Sequence, residues 1–63
     1  MEINIAKLER ERKRLGMSRH ELARAMGMHY QGLNYIYEKK QTKLSTIQRM
    51  ADFFEIDAKD LLT

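Results

Sequence analysis

The sequence has no cysteine, no proline and no tryptophan, and only three glycines and two histidines in 63 residues. Without cysteine, neither a disulfide nor a thiolate metal site can reinforce the fold. Two histidines without zinc-ligand spacing cannot complete a tetrahedral zinc site, so no metal and no cofactor is expected. No apolar run approaches the roughly 20 residues of a membrane span, and no signal-peptide pattern is present. The expectation is a soluble intracellular domain. With so little glycine, no proline and few β-branched residues, the chain is expected to be all-α. At this length it forms one domain, residues 1–63, with a thin core, since such a chain buries only about 60% of its unfolded surface.

Charge is unevenly spread. Residues 1–49 hold eleven basic and five acidic side chains, and residues 50–63 hold one and four, within a net charge of +3. A basic body with an acidic end suits a polyanion bound on one face, although a merely solvated mixed-charge surface would look the same by composition.

Apolar spacing predicts five helices. Ile5, Leu8 and Leu15 share one face of a first helix over roughly residues 3–14, which Gly16 stops. Ser18 with Glu21 three residues on forms a capping box, and Met17 and Leu22 bracket it as a hydrophobic staple. The second helix then runs through Leu22, Ala23 and Met26 to Gly27. Met28 and Leu33 staple a third helix, which His29 caps poorly and which continues through Ile36 to about Glu38. Two short helices joined by a few residues containing glycine make a helix-turn-helix over about 18–38. A basic loop, Lys39 to Lys43, leads to a fourth helix with Leu44, Ile47, Met50, Ala51 and Phe54 inward. Asp57 caps a short fifth helix, with Ile56 and Leu61 as its staple.

In this register the chain resembles the Cro and phage-repressor type of helix-turn-helix regulators. The resemblance rests on Met17-Ser18-x-x-Glu21-Leu22-Ala23-x-x-Met26-Gly27-Met28 with Leu33-x-x-Ile36. It continues through Leu44-x-Thr46-Ile47-x-x-Met50-Ala51-x-x-Phe54-x-Ile56 to Leu61-Leu62. It implies a compact five-helix, lambda-repressor-like DNA-binding domain. Physical reasons stand beside it: Ala23 is small where two helices would cross, and Gly27 supplies the positive φ of a tight turn.

These residues are core, so function is expected on what they leave outside: His29, Tyr30, Gln31, Gly32, Asn34, Tyr35 and Glu38. Gln and Asn can bond adenine edges bidentately, and Tyr or His can donate to phosphates or pack on a thymine methyl. The resemblance implies DNA contacts at the first residue of the second helix and along the third. The expected base-contacting residues are Tyr30, Gln31, Asn34 and Tyr35. The expected backbone contacts are Arg19, His29, Lys39, Lys40 and Lys43. Arg19 stands where the family commonly has Gln, which moves that contact toward phosphate. Gly32 costs about 1 kcal/mol in a helix interior relative to Ala; it either allows close approach to a partner or avoids a clash with the second helix. Tyr35 and Tyr37 have a packing reading as well.

The chain also departs from the family pattern. The family often pairs an Arg of the first helix with a Glu near the end of the third; here Arg12 faces Tyr37, with Glu38 one residue later. That bridge is lost, shifted or replaced by an Arg–aromatic stack. Glu11 stands where an apolar residue is common, and the usual Gly and Pro of the following loop are missing.

The expected function is sequence-specific recognition of double-stranded DNA by a transcriptional regulator, a repressor acting as a homodimer on a symmetric operator. Phe53, Ile56 and Leu62 are the candidate dimer surface, or they only complete the core. The alternative is a helix-turn-helix that binds protein, as an antitoxin or anti-repressor does. No catalytic constellation accompanies His20 or His29, so no enzyme is expected. No membrane partner and no small-molecule ligand are indicated. The expected location is the cytoplasm, as a bacterial or phage-encoded, nucleoid-associated protein.

Overall fold

Helix starts follow side-chain chemistry. Asn4 Oδ1 accepts the Lys7 amide at 3.1 Å, so the first helix begins at Ile5. Ser18 Oγ accepts the Glu21 amide at 3.1 Å while Glu21 Oε1 accepts the Ser18 amide at 2.8 Å, the reciprocal box expected from the sequence. In the computed structural model, which describes residues 1–63, the helices are α1 (Ile5–Arg14), α2 (Arg19–Ala25), α3 (Tyr30–Lys39) and α4 (Leu44–Phe54). The expected fifth helix is instead a four-residue 3₁₀ turn, Ala58–Leu61. The Asp60 and Leu62 amides donate to the carbonyls of Asp57 and Lys59, three residues back. Between its Asp57 cap and the extended Leu62 the segment has no room to propagate an i→i−4 ladder. The chain is thus all-α with four α-helices, and β pairing is limited to two isolated bridges.

Thirteen buried side chains form one core, drawn from every helix and from the 3₁₀ turn. Ala23 is among them, small and buried where α2 packs on α3. Two residues expected inward are not. Leu15 and Leu44 are each 42% exposed. Leu15 caps the end of α1, where the left-handed Gly16 (φ 66°) turns the chain away, and Leu44 is the first residue of α4, ahead of the part that meets the core.

Ile3, outside any helix, is fully buried instead. Its amide donates to the Lys40 carbonyl at 3.1 Å, and the Asn4 amide donates to Leu61 at 2.7 Å. The extended N-terminal residues therefore stitch the α3–α4 loop to the C-terminal turn. Apolar burial of Ile3 holds this seam in place.

Two left-handed residues shape the site. Gly27 (φ 69°) turns α2 into α3, and the Met28 amide returns to the Ala23 carbonyl at 2.9 Å. At the end of α3, Lys40 (φ 59°) takes the same conformation with a Cβ that opposes it. A Lys40→Gly protein should be more stable by about 1 kcal/mol, because glycine removes that strain. Its thermal midpoint should rise by roughly 4–8 °C for a domain of this size; an unchanged or lower midpoint would show that Lys40 is unstrained.

Candidate nucleic-acid interface

The first turn of α2 lies along α3 from Tyr30 to Tyr37, and consecutive side chains of that turn grip two of the candidate base-reading residues. His20 stacks on Tyr30 with ring centroids 3.6 Å apart and planes within 6°. Arg19 Nη1 donates to Asn34 Oδ1 at 3.3 Å. The Arg19 guanidinium also sits 3.9 Å from the centre of the Tyr37 ring, and its Nε lies 3.8 Å from Glu9 Oε1. Arg19 thus joins α1, α2 and α3 through a carboxylate, an amide and an aromatic face. Tyr30 and Asn34 are half-buried as a result.

Gln31, Gly32 and Tyr35 are exposed, Tyr35 by 59%. The Gln31 and Tyr35 side chains make no hydrogen bond within the chain, so their polar ends are free for an external partner. A Cβ built on Gly32 meets nothing within 4 Å. Gly32 therefore does not avoid a clash with α2, and the bare backbone it leaves faces open space. His29 is the N-cap of α3, exposed and making no capping bond. Lys39, Lys40 and Lys43 are exposed at the far end of α3 and in the loop after it, and none forms an ion pair. The Lys40 and Thr42 backbone is pinned by Ile3 and Met1, so this basic loop has a fixed course beside α3.

The missing family bridge is resolved by a rearrangement. Arg12 turns back one helical turn to Glu9, at 2.8 Å from Nη2 and 3.1 Å from Nε, and its Nη1 donates to the Met17 carbonyl at 2.6 Å. The stack on Tyr37 is made by Arg19 rather than Arg12. Glu38 is exposed and takes no part. The Tyr37 hydroxyl is buried with no partner in hydrogen-bonding geometry, and burial followed by the nearby Glu9 carboxylate pushes its pKa up to about 12. The Arg12 guanidinium, bonded to Glu9, holds that carboxyl down at about 2, against the resistance of desolvation.

Glu11 is buried and explains itself in the same currency. Lys7 Nζ lies 3.1 Å from one of its oxygens and Arg14 Nε 2.7 Å from the other, so Arg14 first and Lys7 second lower its pKa. Arg14 Nη2 continues to the Phe54 carbonyl at 3.0 Å and joins α1 to the end of α4. Beside that link Phe53, 37% exposed and edge-on to Phe54, lines an open groove with Leu15 and Ile56. Leu62 does not line it; it is half-buried against the core and bridges Ile3.

Sequence reasoning placed the α3 side chains but missed the grip on them. Nothing local marks His20 as more than a histidine without catalytic partners, because no sequence pattern signals a stack across two helices. Arg49 was missed in the same way: from α4 its Nη2 donates to the Met26 carbonyl at 2.6 Å, capping the C-terminal end of α2 just before the Gly27 turn.

A family model described as helix-turn-helix matches residues 8–61. Neither a curated protein nor a solved structure matches the chain.

Because the Glu9 pKa is depressed by folding, its contribution is present above about 4.5, its ordinary value, and is lost as pH falls toward about 2. Denaturant unfolding of wild type and Glu9→Gln should show their largest difference in stability above about pH 4.5, closing as pH approaches 2. A difference constant across that range would mean that the Arg12 pair does not stabilise the fold.

Proposed function

The chain belongs to the helix-turn-helix family of the Cro and phage-repressor type, a family of DNA-binding transcription regulators; from that premise we propose that it recognises a specific double-stranded operator as a repressor. In this reading α3 enters the major groove and the start of α2 lies across the phosphates. One observation carries it: Gln31 and Tyr35 stand exposed and unpartnered on α3 around the bare backbone of Gly32, beside three unpaired lysines. Gln31 offers a donor and an acceptor to an adenine edge, and the missing Cβ at Gly32 lets the helix sit close to the bases. Tyr30, Asn34 and Tyr35 complete the base-facing set. Lys39, Lys40, Lys43 and His29 contact phosphates and fix register without reading sequence.

A module this small has little interface, so operator affinity requires two copies on half-sites about one helical turn apart. The groove of Leu15, Phe53 and Ile56, rimmed by the charged Glu11, Arg14 and Glu55, is the surface that supports dimerisation in this reading, and Leu62 is the outlying member of the surface expected from the sequence. A homodimer on DNA in the cytoplasm of a bacterium, or encoded by a phage, is the corresponding biological setting.

Selection of bound sites from random duplexes at two salt concentrations tests this reading. A two-fold symmetric motif with steeply salt-dependent affinity is the expected result; salt-insensitive capture of protein alone would favour an antitoxin-like module instead. On the selected site Gln31→Ala should cost about 1–3 kcal/mol and relax preference at one base pair. Lys40→Ala should weaken all sequences alike and lower the salt slope by about one. Uniform loss in both variants would refute the division into reading and positioning residues. Phe53→Ala should reduce the sedimentation mass from dimer to monomer, and a monomeric wild type would remove that surface from the proposal.

A further inference from the structure

We propose that Arg19 fixes the hydrogen-bonding polarity of Asn34, so that Asn34 presents only donors to a base edge and selects guanine over adenine. The inference rests on the DNA-binding reading above and adds the specificity of one position. Arg19 is held from three sides: the Tyr37 ring at 3.9 Å, Glu9 at 3.8 Å and Asn34 Oδ1 at 3.3 Å. A guanidinium carries donors only. A flipped Asn34 amide would set its NH₂ against those donors, so the bond to Arg19 commits Oδ1 inward and leaves Nδ2 as the free end. No group of the chain accepts from Nδ2.

The purine edge makes this polarity selective. Guanine and adenine share an acceptor at N7 and differ at position six, where guanine has an acceptor and adenine a donor. Bidentate pairing of Asn with adenine needs Oδ1 to point at that donor and accept from it. Here the bond to Arg19 turns Oδ1 toward α2, so its second lone pair is aimed away from the base edge that Nδ2 meets. The positive charge behind the amide adds to the discrimination: it attracts the guanine O6 and repels the adenine amino group. Arg19 is in this sense a positioning residue, acting on the base through Asn34. Its neighbour His20 holds Tyr30 by stacking, so the first turn of α2 orders two of the α3 side chains at once.

The test is site selection from random duplexes with wild type, Asn34→Ala, Arg19→Met and Asn34→Asp. Asn34→Ala identifies the base pair that depends on Asn34. At that pair wild type should prefer guanine by about tenfold. Arg19→Met keeps an unbranched side chain against the Tyr37 ring but has no donor and no charge; it should shift the preference to adenine. Asn34→Asp retains a partner for Arg19 but has no donor, and should lose the guanine preference without a change in helical circular dichroism. If Arg19→Met weakens all sequences equally, lowers the salt slope by about one and leaves the base preference unchanged, Arg19 is a phosphate clamp and the proposal falls alone. If wild type selects no motif, the DNA-recognition reading fails and takes the proposal with it.

Discussion

The turn between α2 and α3 is the constraint from which the candidate interface follows. Gly27 takes a left-handed φ that turns the chain within the four residues between the helices, and the Met28 amide closes the turn on the Ala23 carbonyl. Arg49, reaching from α4, caps the Met26 carbonyl at the same point. The turn is therefore held by its own backbone and by a third helix. Ala23 then lets α2 and α3 approach closely enough for Arg19 and His20 to touch α3 side chains. A wider crossing would leave Asn34 and Tyr30 free to rotate.

Basic residues divide by what their head groups can do. Arg12, Arg14 and Arg49 each donate to a main-chain carbonyl that ends a helix or follows one, at Met17, Phe54 and Met26. Arg12 and Arg14 bind carboxylates at the same time, and Arg19 binds an amide and an aromatic face. A planar fork with several donors can join backbone and side chain in one residue; an ammonium serves as a point charge. The lysines at the end of α3 and in the following loop are left unpaired at the surface. In this chain much of the positive charge that composition suggests for a polyanion is used internally. The net charge of +3 therefore says less about the interface than the position of Lys39, Lys40 and Lys43 does.

Departures from the family pattern are compensated by neighbours. With Tyr37 where an acid would be, Arg12 turns to Glu9 on its own helix and Arg19 covers the Tyr37 ring. Glu11, at a position that favours an apolar residue, stays charged because Lys7 and Arg14 flank it within the same helix. Such pairs at three- and four-residue spacing need no tertiary structure to form, which is why they tolerate substitution elsewhere. Lys40 in a left-handed conformation has no such compensation beyond the backbone bonds of the loop, where Ile3 ties it to the N-terminus.

Sequence alone determined the local plan. The Ser18–Glu21 box, the Gly16 and Gly27 turns and the apolar face of Leu22, Leu33, Ile36, Ile47, Met50 and Phe54 follow from capping chemistry and helical period, which act over three or four residues. The same local rules placed Gln31 and Tyr35 on the outer face of α3. They failed at segment ends, where Leu15 and Leu44 keep the period but lie past the core, and at the C-terminus, where a cap and a staple enclose too few residues for an α-helix. Tertiary structure decided the rest. Ile3 is buried although no periodicity includes it, because residues about forty and sixty positions away close over it. The grip of Arg19 on Asn34 and of His20 on Tyr30 joins helices whose relative placement is set by packing. Their side-chain geometry has no local signature, because it depends on how close two helices come.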